Sequence, residues 1–227
     1  MTGRFLPRMD ILPTAQKSLW PELRNAAALG LVLYGGTAIA LRLGHRQSVD
    51  FDFFSGHALD HDLLRKSLPF MARSTVLQDR QNALTVHVPS VDTANLGVKV
   101  SFFGAIGFGR VGEPEFTNDG VLLVASLDDL MATKLKVILQ RPEAKDYRDI
   151  AAMLESKVRL DRGLASAREL FRPTFQPSES LRALCFFGDG DLGTLSDSEK
   201  RTLVKAATEV RDLPDAKVLD GGLAPAA

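Results

Sequence analysis

Residues 31–54, which read LVLYGGTAIALRLGHRQSVDFDFF, decide the fold class of this 227-residue chain. The first four residues are apolar and predict a short buried strand, which the pair Gly35-Gly36 closes in a tight turn. Thr37 then predicts the start of a helix. Residues 49–54 alternate apolar and acidic side chains, which is the period of a half-buried strand. The order strand, glycine turn, helix and strand predicts an α/β fold with a mixed sheet.

The rest of the chain divides into a strand-rich part and a helix-rich part. Further strands are predicted at 74–78, 83–89, 98–103 and 121–124. Helices are predicted near 14–28, 60–71, 127–139, 145–155, 161–171, 178–187 and 196–211. We therefore expect a core domain over 1–125, a helical region over 126–212 and a flexible tail over 213–227.

Composition limits the class of protein, whereas the overall charge balance is uninformative about partners and leaves a local basic patch possible. Lys plus Arg and Asp plus Glu number 28 each, so no net basic charge indicates nucleic-acid binding. Cys185 is the single cysteine, which excludes an intrachain disulfide, and the four histidines show no metal-binding spacing. The chain has no secretory apolar run at its start and no stretch near the roughly 20 apolar residues of a membrane helix. The sequence predicts a cytoplasmic protein with no membrane partner.

Asp50 and Asp52 are the first candidates for chemistry. Successive side chains of a strand point to opposite faces, so the two carboxylates share one face, roughly 7 Å apart along the backbone. Val49, Phe51 and Phe53 are then expected to face the core. Carboxylates this close repel each other, and a bound Mg²⁺ relieves that repulsion while it leaves ligand positions for substrate phosphates. A solvated strand face is the alternative, and the pair by itself favours it.

The glycine turn before the acidic strand makes a binding role more specific. Gly35 and Gly36 allow a close approach of the backbone where the next helix presents amide groups that lack helical partners. Such a helix start attracts phosphate. The Thr37 hydroxyl suits the same contact and equally suits a simple helix cap. The turn together with Asp50 and Asp52 predicts a metal and phosphate site more strongly than either part alone.

A second signal is a lysine in the predicted helix at 127–139. Helical spacing places Lys134 on the apolar stripe, where a lysine needs a carboxylate, a bound anion or a route to solvent. In the following helix, Asp146 lies on the inner face and Asp149 at its edge. A structural Lys134–Asp146 ion pair and a catalytic role both require this burial, and the sequence leaves both open.

These motifs together resemble the AbiEii/AbiGii toxin family of nucleotidyltransferases, within the DNA polymerase beta-like superfamily. The resemblance covers about residues 30–155 and rests on LYGGTA at 33–38, HRQSVDFDFF at 45–54, Lys134, Arg141 and KDYRD at 145–149. It implies a polymerase beta-like nucleotidyltransferase core, followed by a helical region that completes the active site.

The resemblance also implies a reaction and its site. A nucleoside triphosphate binds with Mg²⁺, or with Mn²⁺ as the alternative, and a nucleoside monophosphate passes to an acceptor hydroxyl. The implied residues are Gly35, Gly36 and Thr37 for the nucleotide, Asp50 and Asp52 for the metal and catalysis, and Lys134 and Asp146 for catalysis. Lys134 steadies phosphate charge, while Asp146 orients Lys134 or accepts the acceptor's proton. Several members are toxins that modify RNA, including tRNA ends, and are neutralised by a separate antitoxin, so RNA or tRNA and an antitoxin protein are the implied partners.

One strand departs from the superfamily pattern. Polymerase beta-like enzymes commonly carry a third carboxylate on a later strand, whereas the matching stretch here offers Lys99 and Ser101. Two alternatives to an enzyme therefore stay open: a nucleotide-binding regulator without turnover, and a scaffold that keeps only the fold. Magnesium-dependent triphosphate binding separates the scaffold from the others, and labelled-nucleotide transfer to RNA separates the enzyme from the regulator.

Overall fold

The computed structural model of this chain describes residues 3–90, 97–219 and 222–224, which form two compact units. Unit 1 comprises Met1–Gly109, Glu113–Ala125 and Asp220–Ala227, and unit 2 comprises Arg110–Gly112 and Ser126–Leu219. The predicted flexible tail, 213–227, includes residues 220–221 and 225–227, which lie outside the described residues. Within the described part of that tail, Leu219 pairs with Arg110 in an antiparallel bridge and Leu223 is buried.

Unit 1 is built on one mixed sheet. Its strands are β1 (Arg4–Phe5), β2 (Val32–Tyr34), β3 (Asp50–Phe54), β4 (Thr75–Arg80), β5 (Ala83–Val88), β6 (Val98–Phe103), β7 (Glu115–Thr117) and β8 (Leu123–Val124). Among the described residues these eight strands lie in the order β1, β7, β8, β2, β3, β6, β5, β4. The pairs β1 with β7, β8 with β2 and β3 with β6 are parallel, and the other neighbours are antiparallel. The predicted mixed sheet is confirmed, and the short strands β1 and β7 were not predicted.

The described residues of unit 1 form three α-helices: α1 (Thr14–Leu19), α2 (Gly35–Leu43) and α3 (His61–Ser67). The helix predicted near 14–28 is shorter than expected, because Pro21 has no N–H for a helical hydrogen bond and only short 3-10 turns follow α1. The prediction that Thr37 caps α2 was wrong, since α2 begins at Gly35 and its cap position, Tyr34, makes no side-chain cap hydrogen bond. Gly44 ends α2 as predicted, with φ of 69°.

The core of unit 1 lies behind the acidic strand. Phe51 and Phe53 of β3 are fully buried, and the Phe53 ring stacks on Phe102 of β6 with a centroid separation of 5.6 Å. Val49 was predicted to share this core, but it precedes β3 and is 60% exposed. The alternation that orients the side chains therefore begins only at Asp50, where strand pairing starts.

Unit 2 is helical. Its α-helices are α4 (Leu127–Val137), α5 (Ala144–Glu155), α6 (Leu160–Leu170), α7 (Pro177–Ala183) and α8 (Asp197–Glu209), which confirms the predicted helices with ends that differ by a few residues. Ser126 caps α4, and Ser196 with Glu199 forms a capping box on α8. Gly163 lets α6 approach α4 closely, because a Cβ there would collide with the Met131 side chain. No helix in the described part of the chain is both long and apolar enough to cross a membrane.

Candidate active site

Asp50 and Asp52 occupy the open face of β3. Along this strand the partly exposed residues alternate with the buried Phe51 and Phe53. The phenylalanine rings are fixed in the core of unit 1, so the two carboxylates are held on the opposite face. The prediction that the pair shares one accessible strand face is confirmed.

The glycine turn lies directly against this acidic pair. Gly35 has φ of 74°, in the left-handed region that glycine favours, and a Cβ at this position would lie 2.8 Å from Asp52 Oδ2. A Cβ on Gly36 would collide with the guanidinium of Arg46 and lie 3.1 Å from Ser48 Oγ. Conformation and space both favour glycine at position 35, and space favours it at position 36, which agrees with the close backbone approach that the sequence predicted.

Thr37 ties the start of α2 to the acidic strand. Its side chain is buried, and its hydroxyl donates a hydrogen bond to the backbone carbonyl of Asp50. The amide of Gln16, also buried, donates to the same carbonyl at 3.5 Å. What Thr37 can offer a phosphate is thus its backbone N–H, which, like those of Gly35 and Gly36, has no acceptor within the helix. The hydroxyl serves to position Asp50.

Lys99 stands beside Asp50 on the neighbouring strand. In the parallel pair of β3 and β6, Asp50 lies opposite Lys99 and Asp52 lies opposite Ser101. Lys99 Nζ is 2.9 Å from Asp50 Oδ2, and the two side chains are 44% and 34% exposed, respectively. The sequence pointed to this strand because it lacks a carboxylate, but it did not reveal the ion pair, which depends on the register of two strands far apart in the chain.

The acidic pair fits a metal that arrives with its substrate. Mg²⁺ takes oxygen ligands, keeps several waters, and commonly binds proteins through one or two carboxylates plus substrate phosphates. Asp50 and Asp52 supply two partly exposed carboxylates of this kind. In the described ranges, no group of three or more His, Cys, Asp or Glu side chains is placed to hold a metal ion. Asp50 and Asp52 are donors of the kind that could hold Mg²⁺ together with substrate phosphates.

Lys134, Asp146 and Asp149 form a buried ion cluster in unit 2. Lys134 Nζ lies 2.5 Å from Asp146 Oδ1 and 2.6 Å from Asp149 Oδ2. The second oxygen of Asp146 accepts a hydrogen bond from Arg141 Nε at 3.1 Å. The structure thus contains the Lys134–Asp146 ion pair, one of the two alternatives that the sequence left open. Asp149, placed at the edge of the inner face by helical spacing, is fully buried and is the second partner of the lysine.

The charges of this cluster restrict what Asp146 can do. Two cations, Lys134 and Arg141, face the two carboxylates of Asp146 and Asp149, so the formal charges balance. A buried carboxylate is tolerated only when such partners satisfy it. Both oxygens of Asp146 are engaged and the side chain is fully buried. This geometry favours a role in holding the Lys134 ammonium over a role in accepting a proton.

Asp129 is a further buried carboxylate in unit 2, and no pattern in the sequence distinguished it from other aspartates. It accepts hydrogen bonds from the backbone N–H of Val111 at 2.7 Å and of Gly112 at 3.2 Å, and from Ser126 Oγ at 2.6 Å. Burial raises the pKa of Asp129, and the hydrogen bonds oppose that rise. The residue fastens the segment 110–112 to the start of α4, which is a structural role.

Among the comparisons with known proteins, the family match agrees with the motifs. A family model described as nucleotidyl transferase AbiEii toxin, type IV TA system, matches residues 22–216. An uncharacterized protein of Aquifex aeolicus (strain VF5), aq_aa25, is 30% identical over 134 residues, which cover 56% of this chain and 61% of that protein. The match thus spans about three fifths of the relative's length. Among solved structures, MenT4, a nucleotidyltransferase toxin from Mycobacterium tuberculosis H37Rv, aligns with a TM-score of 0.44 and 16% identity over 86% of this chain and 87% of that one.

Proposed function

This chain belongs to the nucleotidyl transferase AbiEii toxin family, and on that premise we propose that it transfers a nucleoside monophosphate from a nucleoside triphosphate to an acceptor hydroxyl. Pyrophosphate is the leaving group. The proposed acceptor is RNA, with tRNA ends as the first substrates to test.

The observation that carries this proposal is the contact between the glycine turn and the acidic pair. A Cβ at Gly35 would lie 2.8 Å from Asp52 Oδ2, so the backbone at the start of α2 and the carboxylate border the same small space. Amide groups at a helix start attract phosphate, and paired carboxylates attract a divalent cation. A metal–triphosphate complex satisfies both demands at once.

Each residue of unit 1 has a defined part in the proposal. Asp50 and Asp52 hold the Mg²⁺ or Mn²⁺ ion, while the backbone N–H groups of Gly35, Gly36 and Thr37 bind phosphate oxygens. The metal, when bound, neutralises the triphosphate charge that develops during transfer. The protein's own contribution is alignment, because the buried core behind β3 and the Thr37 hydroxyl fix the carboxylates in place.

We assign Lys134 and Asp146 of unit 2 to catalysis as well. Lys134 balances phosphate charge in the proposed reaction, and Asp146 holds the Lys134 ammonium. Support for Asp146 as the positioning partner comes from its two engaged oxygens. Asp149 shares this task through its own contact with the lysine.

The test is transfer of labelled nucleotide to total RNA. Wild-type protein is incubated with each of the four labelled triphosphates in Mg²⁺ and in Mn²⁺, and the labelled RNA species are identified. We expect transfer by the wild type and a loss of about 10²-fold or more in the Asp50→Asn/Asp52→Asn variant. Its melting temperature should stay within about 2–4 °C of wild type, since exposed charges contribute little to stability.

Transfer measured together with triphosphate binding separates the enzyme from the regulator and the scaffold. Triphosphate binding by calorimetry without any transfer would identify a nucleotide-binding regulator, and the absence of both would identify a scaffold.

The proposed partner in the cell is a separate antitoxin protein. Induced expression of the wild type, and not of the double variant, should then arrest growth, and co-expression of the antitoxin should relieve the arrest. Equal arrest by both proteins would contradict a toxicity based on transfer.

A further inference from the structure

The proposed function leaves the Lys99–Asp50 ion pair without a role, although the pair lies in the proposed site. Lys99 Nζ is 2.9 Å from Asp50 Oδ2, and strand register places the two residues directly opposite each other. The lysine therefore neutralises one of the two carboxylates that a metal ion needs. A divalent cation and the ammonium compete for the charge of Asp50.

We propose that Lys99 is a competing counter-ion that couples metal binding to triphosphate binding. In the absence of substrate, the ammonium of Lys99 holds Asp50. When a metal–triphosphate complex binds, Asp50 would hold the metal, and Lys99 would release Asp50 and turn its ammonium to the triphosphate. This inference rests on the proposed function, because it assigns Asp50 to the metal.

Three properties of the ion pair support this exchange. First, Lys99 and Asp50 are 44% and 34% exposed, and an ion pair of such exposure is weak enough to break at little cost. Second, lysine carries its charge on a flexible four-carbon stem, so the ammonium can move while the strand stays paired. Third, Lys99 lies directly opposite Asp50 in the pairing of β3 with β6, so its ammonium reaches that carboxylate in the existing strand register.

The exchange predicts cooperative binding. A metal ion alone must compete with the Lys99 ammonium for Asp50, whereas a metal ion with a triphosphate also supplies a new anionic partner for the lysine. The triphosphate should therefore raise the affinity for the metal, and the metal should raise the affinity for the triphosphate by the same factor. Removal of the Lys99 charge should strengthen binding of the metal alone and weaken this coupling.

The test compares Mn²⁺ affinity with and without a triphosphate analogue. Binding of Mn²⁺ alone is measured by electron paramagnetic resonance or calorimetry, and then with each of the α,β-methylene analogues of ATP, GTP, CTP and UTP. In Lys99→Met we expect about 10-fold tighter binding of Mn²⁺ alone and a coupling factor that falls toward one. Lys99→Arg should keep the wild-type coupling. Lys66→Met, at an exposed lysine of α3, is the matched control and should change neither quantity.

The outcomes separate this inference from the proposed function. The role of Lys99 would be overturned if Lys99→Met bound Mn²⁺ alone no more tightly than the wild type. The proposed function would still stand if Asp50→Asn/Asp52→Asn abolished Mn²⁺-dependent nucleotide binding. Nucleotide binding that is unchanged in the double aspartate variant would overturn the proposed function and this inference with it. Melting temperatures verify that each variant is folded, and Lys99→Gln replaces Lys99→Met if the latter is not.

Discussion

The two charge clusters of this chain use the same residue types in opposite surroundings. In unit 1, the ion pair of Lys99 with Asp50 has side chains 44% and 34% exposed. In unit 2, Lys134 is 8% exposed and its partner Asp146 is fully buried. Water hydrates the first pair, so its ions can change partners at little cost. The second pair has lost its water, and each ion depends on the other for its stability.

This difference separates binding from folding. The exposed Lys99–Asp50 pair contributes little to the free energy of unfolding, yet its two ions can take new partners. Asp50 can take a metal ion, and Lys99 can take a phosphate. A closed cluster contributes strongly to the integrity of the helices that carry it, because a single unpaired buried charge is costly. Substitutions in the Lys99–Asp50 pair should therefore change binding more than stability. Substitutions in the Lys134 cluster should change stability more than binding.

The largest effect is expected at Lys134. Lys134→Met leaves the carboxylates of Asp146 and Asp149 buried with Arg141 as the remaining cation of the cluster. We expect the free energy of unfolding to fall by about 3–5 kcal/mol. That loss corresponds to a melting temperature lower by roughly 10 °C or more for a chain of this size. Urea unfolding and differential scanning calorimetry measure both quantities.

The matched control neutralises the whole cluster. Lys134→Met combined with Asp146→Asn and Asp149→Asn removes the unpaired charges and should recover a large part of the lost stability. A change of less than about 1 kcal/mol in Lys134→Met alone would show that the cluster behaves like a surface pair. Transfer measured at a temperature where the variant is folded then tests the catalytic assignment, which fails if activity is retained.

A smaller effect is expected at Asp129, which is buried but has hydrogen-bonding partners instead of a cation. Asp129→Asn keeps one acceptor oxygen and weakens the contact with Gly112, so we expect a loss of about 1–3 kcal/mol at neutral pH. The neighbouring Asp128→Asn, at a carboxylate that pairs with Arg162 and is 25% exposed, is the control and should cost less.

Asp129 also predicts a pH dependence of known sign. Burial raises its folded-state pKa above the ordinary value of 3.8, so the folded state binds the proton more tightly than the unfolded state. The stabilisation from this group is fully present below the unfolded-state pKa and is lost as pH rises through the raised folded-state pKa. Unfolding measured from pH 3 to pH 7 should show this component in the wild type and lack it in Asp129→Asn. The same pH slope in both proteins would contradict the assignment.

Sequence reasoning was most successful where one side-chain period decides the structure. Alternation over 49–54 predicted the shared face of the acidic pair, and helical spacing predicted the burial of Lys134 and Asp146. Both signals are local, because a side chain's direction follows from its own element. The same arithmetic was wrong for Val49, since strand pairing begins one residue later.

What sequence reasoning missed depends on contacts between distant residues. Strands β1 and β7 have two and three residues, too few to show a period, and each is defined by its neighbour in the sheet. The ion pair of Lys99 with Asp50 depends on the register of β3 with β6, 49 positions apart in the chain. Helical spacing placed Asp149 at the edge of the inner helix face, and only the packing of the helices shows that this edge is buried.

The smallest stability effect that sharpens the comparison is expected at Gly35. Gly35 and Gly120 both belong to unit 1 and both have left-handed backbones, with φ of 74° and 71°. Alanine should therefore cost each site about 1–2 kcal/mol of backbone strain. Their surroundings differ, because a Cβ at Gly35 would lie 2.8 Å from Asp52 Oδ2, whereas a Cβ at Gly120 would meet no atom within 4 Å.

The matched glycine pair thus separates backbone strain from geometry of the acidic pair. In Gly35→Ala the new methyl group must push the Asp52 carboxylate aside, and a displacement of less than 1 Å in a binding group is enough to cost roughly 10-fold or more in function. We expect Mn²⁺-dependent triphosphate binding, measured by calorimetry, to weaken by about that factor in Gly35→Ala and to stay at the wild-type level in Gly120→Ala.

Equal binding by both variants would mean that the glycine turn does not govern the site. Binding lost in both would mean that stability, and not the position of Asp52, controls it. The predicted split, with equal backbone strain and unequal binding, follows only if triphosphate binding depends on the position of the Asp52 carboxylate.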